Sequence, residues 1–336
     1  MPAQAPRQAL VERQVFAMGT TLSVEVHAPT HAVALAASEA ALRAAADVER
    51  RLSVWTADSD VARINAARTG EVVQVDAATV ADLRWAFALA AKTQFAFDPT
   101  VGPLVEAYGL RDGGRWPDAR ALDEARKAVG AGGFRFGDAA VERRSTNAAL
   151  DCDAFGKGLA LDRAAAAAHA AGAFAVLLDF GGQIALDGEL GRELWVPIAH
   201  PLARERIVAE VLLAPGCSLS TSGNGERRES ADGRRVPHLL DPRTGLPAAD
   251  FGAVTVLARG AALADAASTA CFVLGPQEPA LPQACADLGV EAVVVELPGA
   301  PDRGAAVRVR ATRGLQGRVR APGLELFRPP SCRSKP

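Results

Sequence analysis

Between His31 and Leu52, alanine, leucine and valine recur every three to four residues, while Glu39, Arg43, Asp47 and Arg50 take other positions. That period predicts an amphipathic helix. A second long helix is expected over residues 78–95, a charged one over 118–129, and others over Ala261–Leu274 and 277–288. Asp58-Ser59-Asp60 is a good start for the short V-A-R-I-N helix that follows a turn-like stretch. Strand patterns are shorter and more numerous. Residues 15–26 alternate apolar and polar after Gly19, 139–150 is hairpin-like, and 173–188 reads as two strands around Gly181-Gly182. Short strands are expected at 194–199, 208–213, 253–257, 291–297 and 307–311, and a strand end at Asp151 should feed a helix running through Ala171. The two prolines and two glycines of 97–109 predict an ordered loop and a short helix. Several strands are adjacent, so the pattern is mixed α+β rather than a regular βαβ alternation.

Composition narrows the class. The 336 residues are 49% hydrophobic and 23% charged, enough to bury a large core, and no internal repeat is visible. Lys+Arg of 37 against Asp+Glu of 39 gives a net charge of -2, so no basic field exists to hold nucleic acid. The longest uncharged run, residues 164–178, is shorter than the roughly 20 apolar residues of a membrane-spanning helix. Cys152, Cys217, Cys271, Cys285 and Cys332 form no C-x-x-C pair, which suggests neither a zinc cluster nor a disulfide framework. The first 30 residues show no apolar signal segment and no lipid-acceptor cysteine, so the chain as written is expected to be cytoplasmic, or periplasmic if it is a trimmed mature form.

Three places hold candidate chemistry. Asp265 and Thr269, four apart on a helix of otherwise small or apolar residues, share one face. A carboxylate and a hydroxyl there suit Mg²⁺, but Asp265 could equally cap the helix while Thr269 bonds back to a carbonyl. In H-L-L-D-P-R-T-G-L-P a tight turn at Asp241-Pro242 holds His238 at its edge, as a general base or as a structural hydrogen-bonder. Lys157 opens a helix, where free N–H groups attract anions. No Walker loop, dinucleotide fingerprint, G-x-S-x-G elbow or H-E-x-x-H motif is present. Together the signals suggest a phosphate-ester or pyrophosphate substrate.

Seven blocks then carry a resemblance: A-M-G-T at 17–20, S-D-V-A-R-I-N at 59–65, F-D-P-T-V-G-P-L at 97–104, D-C-D-A-F-G-K-G-L-A-L-D at 151–162, D-F-G-G at 179–182, H-L-L-D-P-R-T-G at 238–245 and A-D-A-A-S-T-A at 264–270. In this order they resemble the ApbE-type FAD:protein FMN transferases. The resemblance implies an α+β fold with a T-fold-like core of antiparallel strands and flanking helices. It also implies an enzyme that splits FAD, passes FMN to a Thr or Ser hydroxyl of a target protein and releases AMP. Carried over by position, Mg²⁺ would be held by Asp265, Thr269 and the carbonyl of Ala154. Flavin contacts would come from Met18, Trp55, Ala96, Phe97, Asp98, Asp151 and Lys157, with His238 as catalytic base. The implied acceptor is a flavoprotein subunit of a membrane redox complex or a soluble flavoprotein reductase. Residues 15–323 would form the transferase domain, two lobes around one site, between a flexible N-terminus (1–14) and a loose tail (324–336). The chain departs from the family pattern at Gln183, where Asn is common, and at Cys152-Asp153, where smaller neutral residues are. The rival readings are a Mg²⁺-dependent FAD pyrophosphatase and a non-catalytic flavin-binding protein.

Overall fold

A computed structural model describes residues 9–225, 228–229, 235–298 and 306–328. In chain order the helices are α1 (His31–Leu52), α2 (Asp60–Ala66), α3 (Ala77–Lys92), α4 (Gly102–Ala107), α5 (Ala119–Ala128), α6 (Gly156–Ala170), α7 (Ala261–Leu274) and α8 (Ala280–Leu288). The first strands are β1 (Ala9–Ala17), β2 (Thr20–Ala28), β3 (Val72–Gln74), β4 (Phe134–Phe136), β5 (Ala140–Arg143), β6 (Ala175–Phe180), β7 (Gln183–Gly188) and β8 (Leu194–His200). They are followed by β9 (Ala203–Leu213), β10 (Cys217–Gly223), β11 (Arg228–Glu229), β12 (Arg235–Val236), β13 (Gly252–Arg259), β14 (Glu291–Glu296), β15 (Arg308–Ala311), β16 (Val319–Arg320) and β17 (Glu325–Leu326).

Nine strands make the main sheet in the order β1-β2-β6-β7-β10-β13-β14-β15-β17, antiparallel except for the last pair. Smaller sheets are β16-β9-β8 and β3-β5-β4, and β11 pairs with β12. The fold is therefore mixed α+β with antiparallel sheets, as the pattern predicts. Strands β13 and β14 show how its layers are filled. Val254, Val256, Ala292 and Val294 point into the core that holds α1, α6 and α7, while Leu257, Val293 and Val295 point into a second core with β8 and β9. A strand covered on both faces reads as a continuous apolar run, which is why G-A-V-T-V-L-A lacks alternation. Small residues do the close packing: α1 buries Ala34, Ala37, Ala41 and Ala45, and α6 buries Ala160, Ala164 and Ala168. Inside that layer Arg51, 2% exposed, donates to Asp82 (3.0 Å), Thr79 (3.2 Å) and Asp47 (3.0 Å), so its buried charge is paired.

Several expectations need correction. Residues 9–14 are not flexible: they belong to β1, paired with β2 at nine register positions. The run read as one strand from residue 15 is a hairpin whose two-residue turn, Met18-Gly19, has positive φ at both positions (43° and 74°). Residues 139–150 give only β5, the middle strand of its sheet, with its partners far away in sequence or before it. Asp151 begins a turn rather than ending a strand. The tail is also partly fixed, since β17 pairs with β15 and Phe327 is buried under the Arg310 guanidinium, 4.3 Å from the ring centre. Cys332 and the rest of the tail from 329 lie outside the described residues.

Candidate active site

The junction of α6 and α7 is the most constrained polar region. Gly158 on α6 lies so close to α7 that a Cβ there would stand 2.3 Å from the Ala261 carbonyl oxygen. Only glycine allows that approach. Asp162, one turn further along α6, accepts the N–H groups of Ala261 (2.6 Å) and Ala262 (2.9 Å). It thereby caps α7, whose N-cap residue is Gly260, and Asp265 is left for another task.

Asp265 is 6% exposed and takes the Gly158 N–H (3.0 Å) and the Ser220 hydroxyl (3.4 Å). Burial raises its carboxyl pKa, opposed by the Lys157 charge and by these hydrogen bonds. Beside it Ser222 shares hydroxyl contacts with Ser268 (2.8 Å) and Thr269 (3.4 Å). It is Ser268, not Thr269, that bonds back to a helix carbonyl, donating to that of Asp265 (2.8 Å). Opposite stands the start of α6, which has no side-chain cap and carries Lys157, whose ammonium donates to the Asp153 carbonyl (3.3 Å). Gly156 donates its N–H to the Cys152 carbonyl (2.7 Å) and Gly158 to Asp265, so the lysine charge and the helix dipole are what favour an anion there.

The turn 151–155 is held by three other segments. Asn65 clasps the Leu150 backbone, donating to its carbonyl (2.9 Å) and accepting its N–H (2.8 Å). The Asp151 N–H donates to the Pro99 carbonyl (2.8 Å), and Gly102 packs so closely on Ala149 that a Cβ would clash. Asp98 accepts both the N–H (2.8 Å) and the hydroxyl (2.6 Å) of Thr100, which fixes the loop, and burial raises its pKa. Asp151 is pushed up to about 7, chiefly by burial and by the Asp153 charge, against the pull of Arg111. Arg111 donates to Asp151 and lies 5.8 Å above the ring of Trp55, which is 68% exposed.

On the sheet side, Met18 donates its N–H to Glu49 on α1 (2.8 Å), and Gly181 packs against Thr20. The His238 turn is anchored elsewhere: Val236 and Leu240 pack with Leu104 and Tyr108 beneath α4 and α5. The Asp241 carbonyl accepts from Gly245 (2.8 Å), Asp241 pairs with Arg243, and His238 itself is exposed.

This convergence has a counterpart in known proteins, since the ApbE family profile matches residues 18–294. The chain belongs to the ApbE family. It is 35% identical over 291 residues to the FAD:protein FMN transferase of Rhodobacter capsulatus, an alignment that takes in 84% of this chain and 55% of that protein. It thus spans about half the length of that relative. With the FAD:protein FMN transferase of Treponema pallidum it shares 33% identity over 332 residues, 92% of this chain and 88% of the other. Among solved structures, the ApbE protein of Thermotoga maritima superposes with TM-score 0.78 at 29% identity, over 89% of this chain and 96% of that one. The apo flavinyl transferase ApbE of Pseudomonas stutzeri gives TM-score 0.76 at 25% identity, over 93% and 97%.

Within this ApbE fold, the residues singled out from the sequence form three groups. Asp265, Thr269, Lys157 and the turn holding Ala154 meet at the α6–α7 junction. Trp55 and Asp151 are joined through Arg111, with Asp98 in the neighbouring loop. Met18 and His238 stand on separate turns. Ala96 and Phe97 are buried, backbone included, with Phe97 edge-on to Phe155 at 5.9 Å, so neither faces the site as the chain stands. Sequence reasoning missed Arg111, Asp162, Ser220, Ser222 and Ser268. The alternation S-L-S-T-S at 218–222 carried a signal for two of them, because a strand places those serines on one face. Nothing local marked Arg111 or Asp162, whose partners are 40 and about 100 positions away.

Proposed function

We propose that this protein transfers FMN from FAD to a Thr or Ser hydroxyl of a target flavoprotein and releases AMP. The observation that carries the reading is the α6–α7 junction, where a buried carboxylate and a hydroxyl face a helix start that carries a lysine. Negative substrate charge and a hard cation both suit such a place.

The donor set fits Mg²⁺. Among the described residues no three His, Cys, Asp or Glu side chains gather as a metal site. Mg²⁺ needs no such cage, since one carboxylate, other oxygens, water and substrate phosphate fill its shell. Asp265, Thr269 and the Ala154 carbonyl would hold it. The Gly158 N–H that could reach back toward that carbonyl donates to Asp265 instead. When bound, Mg²⁺ supplies Lewis-acid neutralisation of pyrophosphate charge.

The chain's own groups do the rest. Lys157, through its ammonium and its backbone N–H at the positive end of the α6 dipole, binds phosphate oxygens. Met18, Trp55, Asp98 and Asp151 contact the flavin part, with the buried Ala96 and Phe97 supporting the loop that carries Asp98. His238, exposed on its turn, accepts the proton of the acceptor hydroxyl as that oxygen attacks the FMN phosphorus and AMP leaves. The acceptor would be a flavin-carrying subunit of a redox complex or a soluble reductase. No helix among the described residues is long and apolar enough to cross a membrane.

Incubation with FAD, Mg²⁺ and a candidate acceptor, followed by in-gel flavin fluorescence and AMP assay, tests the reading. Fluorescent acceptor with stoichiometric AMP is expected. FMN and AMP released with no labelled acceptor would show a pyrophosphatase, and FAD left intact would show a binding protein.

A further inference from the structure

We infer that Arg111 is a positioning residue for the flavin ring, bracing Trp55 as a stacking surface and donating to a ring carbonyl. The inference rests on the FAD reading above and adds to it a residue that no sequence block contains.

Three observations support it. Arg111 is tied at one end to Asp151, which is 5% exposed, so its guanidinium is anchored from the protein interior. Its Cζ lies 5.8 Å from the Trp55 ring centre, a cation–π arrangement. Trp55 is 68% exposed, so the guanidinium covers only part of an indole that the core does not hold. An aromatic ring fixed on one side and open to solvent is suited to a second flat ring.

The arginine's unused donors point the same way. An arginine devoted to a structural ion pair commonly engages a carboxylate with both arms of its fork. Here one nitrogen contacts Asp151, while Nε–H is buried with no partner among the described residues. About a quarter of the side chain remains exposed beside Trp55. Guanidinium presents five N–H donors and no acceptor, so its complement is an acceptor-rich group. An isoalloxazine ring offers both requirements, a broad π-face and carbonyl oxygens on its pyrimidine edge. Adenine offers the face but no carbonyl.

FMN and AMP, titrated separately against one set of variants, decide the matter. Arg111→Met should weaken FMN binding about tenfold or more and relieve the quenching of bound-flavin fluorescence, with AMP affinity unchanged. Trp55→Ala, at an exposed position, should do the same even if Arg111→Met folds poorly. Arg111→Lys keeps the charge but not the planar fork, and should fall between Met and wild type. FMN binding by Arg111→Lys equal to wild type would overturn the fork-based role. Loss of AMP rather than FMN affinity would assign the platform to adenine and overturn it too. Wild-type-like FMN binding by both Arg111→Met and Trp55→Ala overturns the inference alone, whereas wild-type protein that binds no FMN or FAD overturns the functional reading with it.

Discussion

At the α6–α7 junction each polar atom is set by a helix: Gly158 permits contact, Asp162 caps α7, and Asp265 is buried against both. The turn bearing His238 is made differently, exposed at its tip and anchored by Val236 and Leu240 on a small separate core. The junction fixes charge in place by burial, which costs stability. The turn leaves the proposed base exposed, where an incoming protein would reach it. On the proposed reading, binding and proton transfer fall to parts that differ in burial, so substitutions should separate them.

The largest effect should come from Gly158→Ala. Its methyl meets backbone on α7, which cannot move aside without disturbing Asp162 and Asp265, so unfolding free energy should fall by about 3 kcal/mol or more. FAD binding should go with it. Chemical denaturation beside FAD titration checks this, and a variant of normal stability would mean that the helices separate easily.

Next come two variants that divide the regions. His238→Ala should keep its melting temperature and FAD affinity while single-turnover transfer falls roughly 10²–10⁴-fold, the usual contribution of a positioned base. Asp265→Asn should also lose roughly 10² or more in transfer, but through metal dependence, and should no longer respond to added Mg²⁺. If His238→Ala instead loses stability and FAD affinity together, the histidine only braces its turn.

A smaller effect is expected at Lys157. Lys157→Ala should raise the FAD dissociation constant several-fold with little change in the transfer step, because the α6 dipole and the backbone N–H at position 157 remain. An unchanged FAD titration for Lys157→Glu would remove the side chain from the phosphate site.

A pH effect is expected in the loop region. Asp151 is held protonated up to about pH 7 in the fold, whereas an unfolded aspartate ionises near ~3.9. The folded chain therefore binds more protons across that window, and its stability declines as pH rises from ~4 to about 7. Asp151→Asn should flatten that decline, as melting temperatures measured over this range would show.

Legibility from sequence followed the distance between partners. Helices α1 and α7 were read at their true ends, because amphipathic spacing and apolar runs are local. Strand β10 escaped notice: its serines alternate with Leu219 and Thr221, but weakly apolar residues between turns resemble a loop. The blocks of the family were legible as a set, yet their roles were not. Asn65, for instance, lies in a short helix and acts on Leu150, 85 positions away.

By itself the sequence determined the class of elements, the α+β character and which side chains are candidates for the chemistry, since period and residue type are properties of neighbouring positions. Tertiary structure decided that Asp162 rather than Asp265 caps α7, that Ser220 and Ser222 join Thr269, and that Arg111 links Trp55 to Asp151. These pairings arise when α6 approaches α7 at Gly158 and distant loops close on the turn at 151–155. A buried charge takes whatever donor the packing brings within reach, and that identity is written in no local stretch of chain.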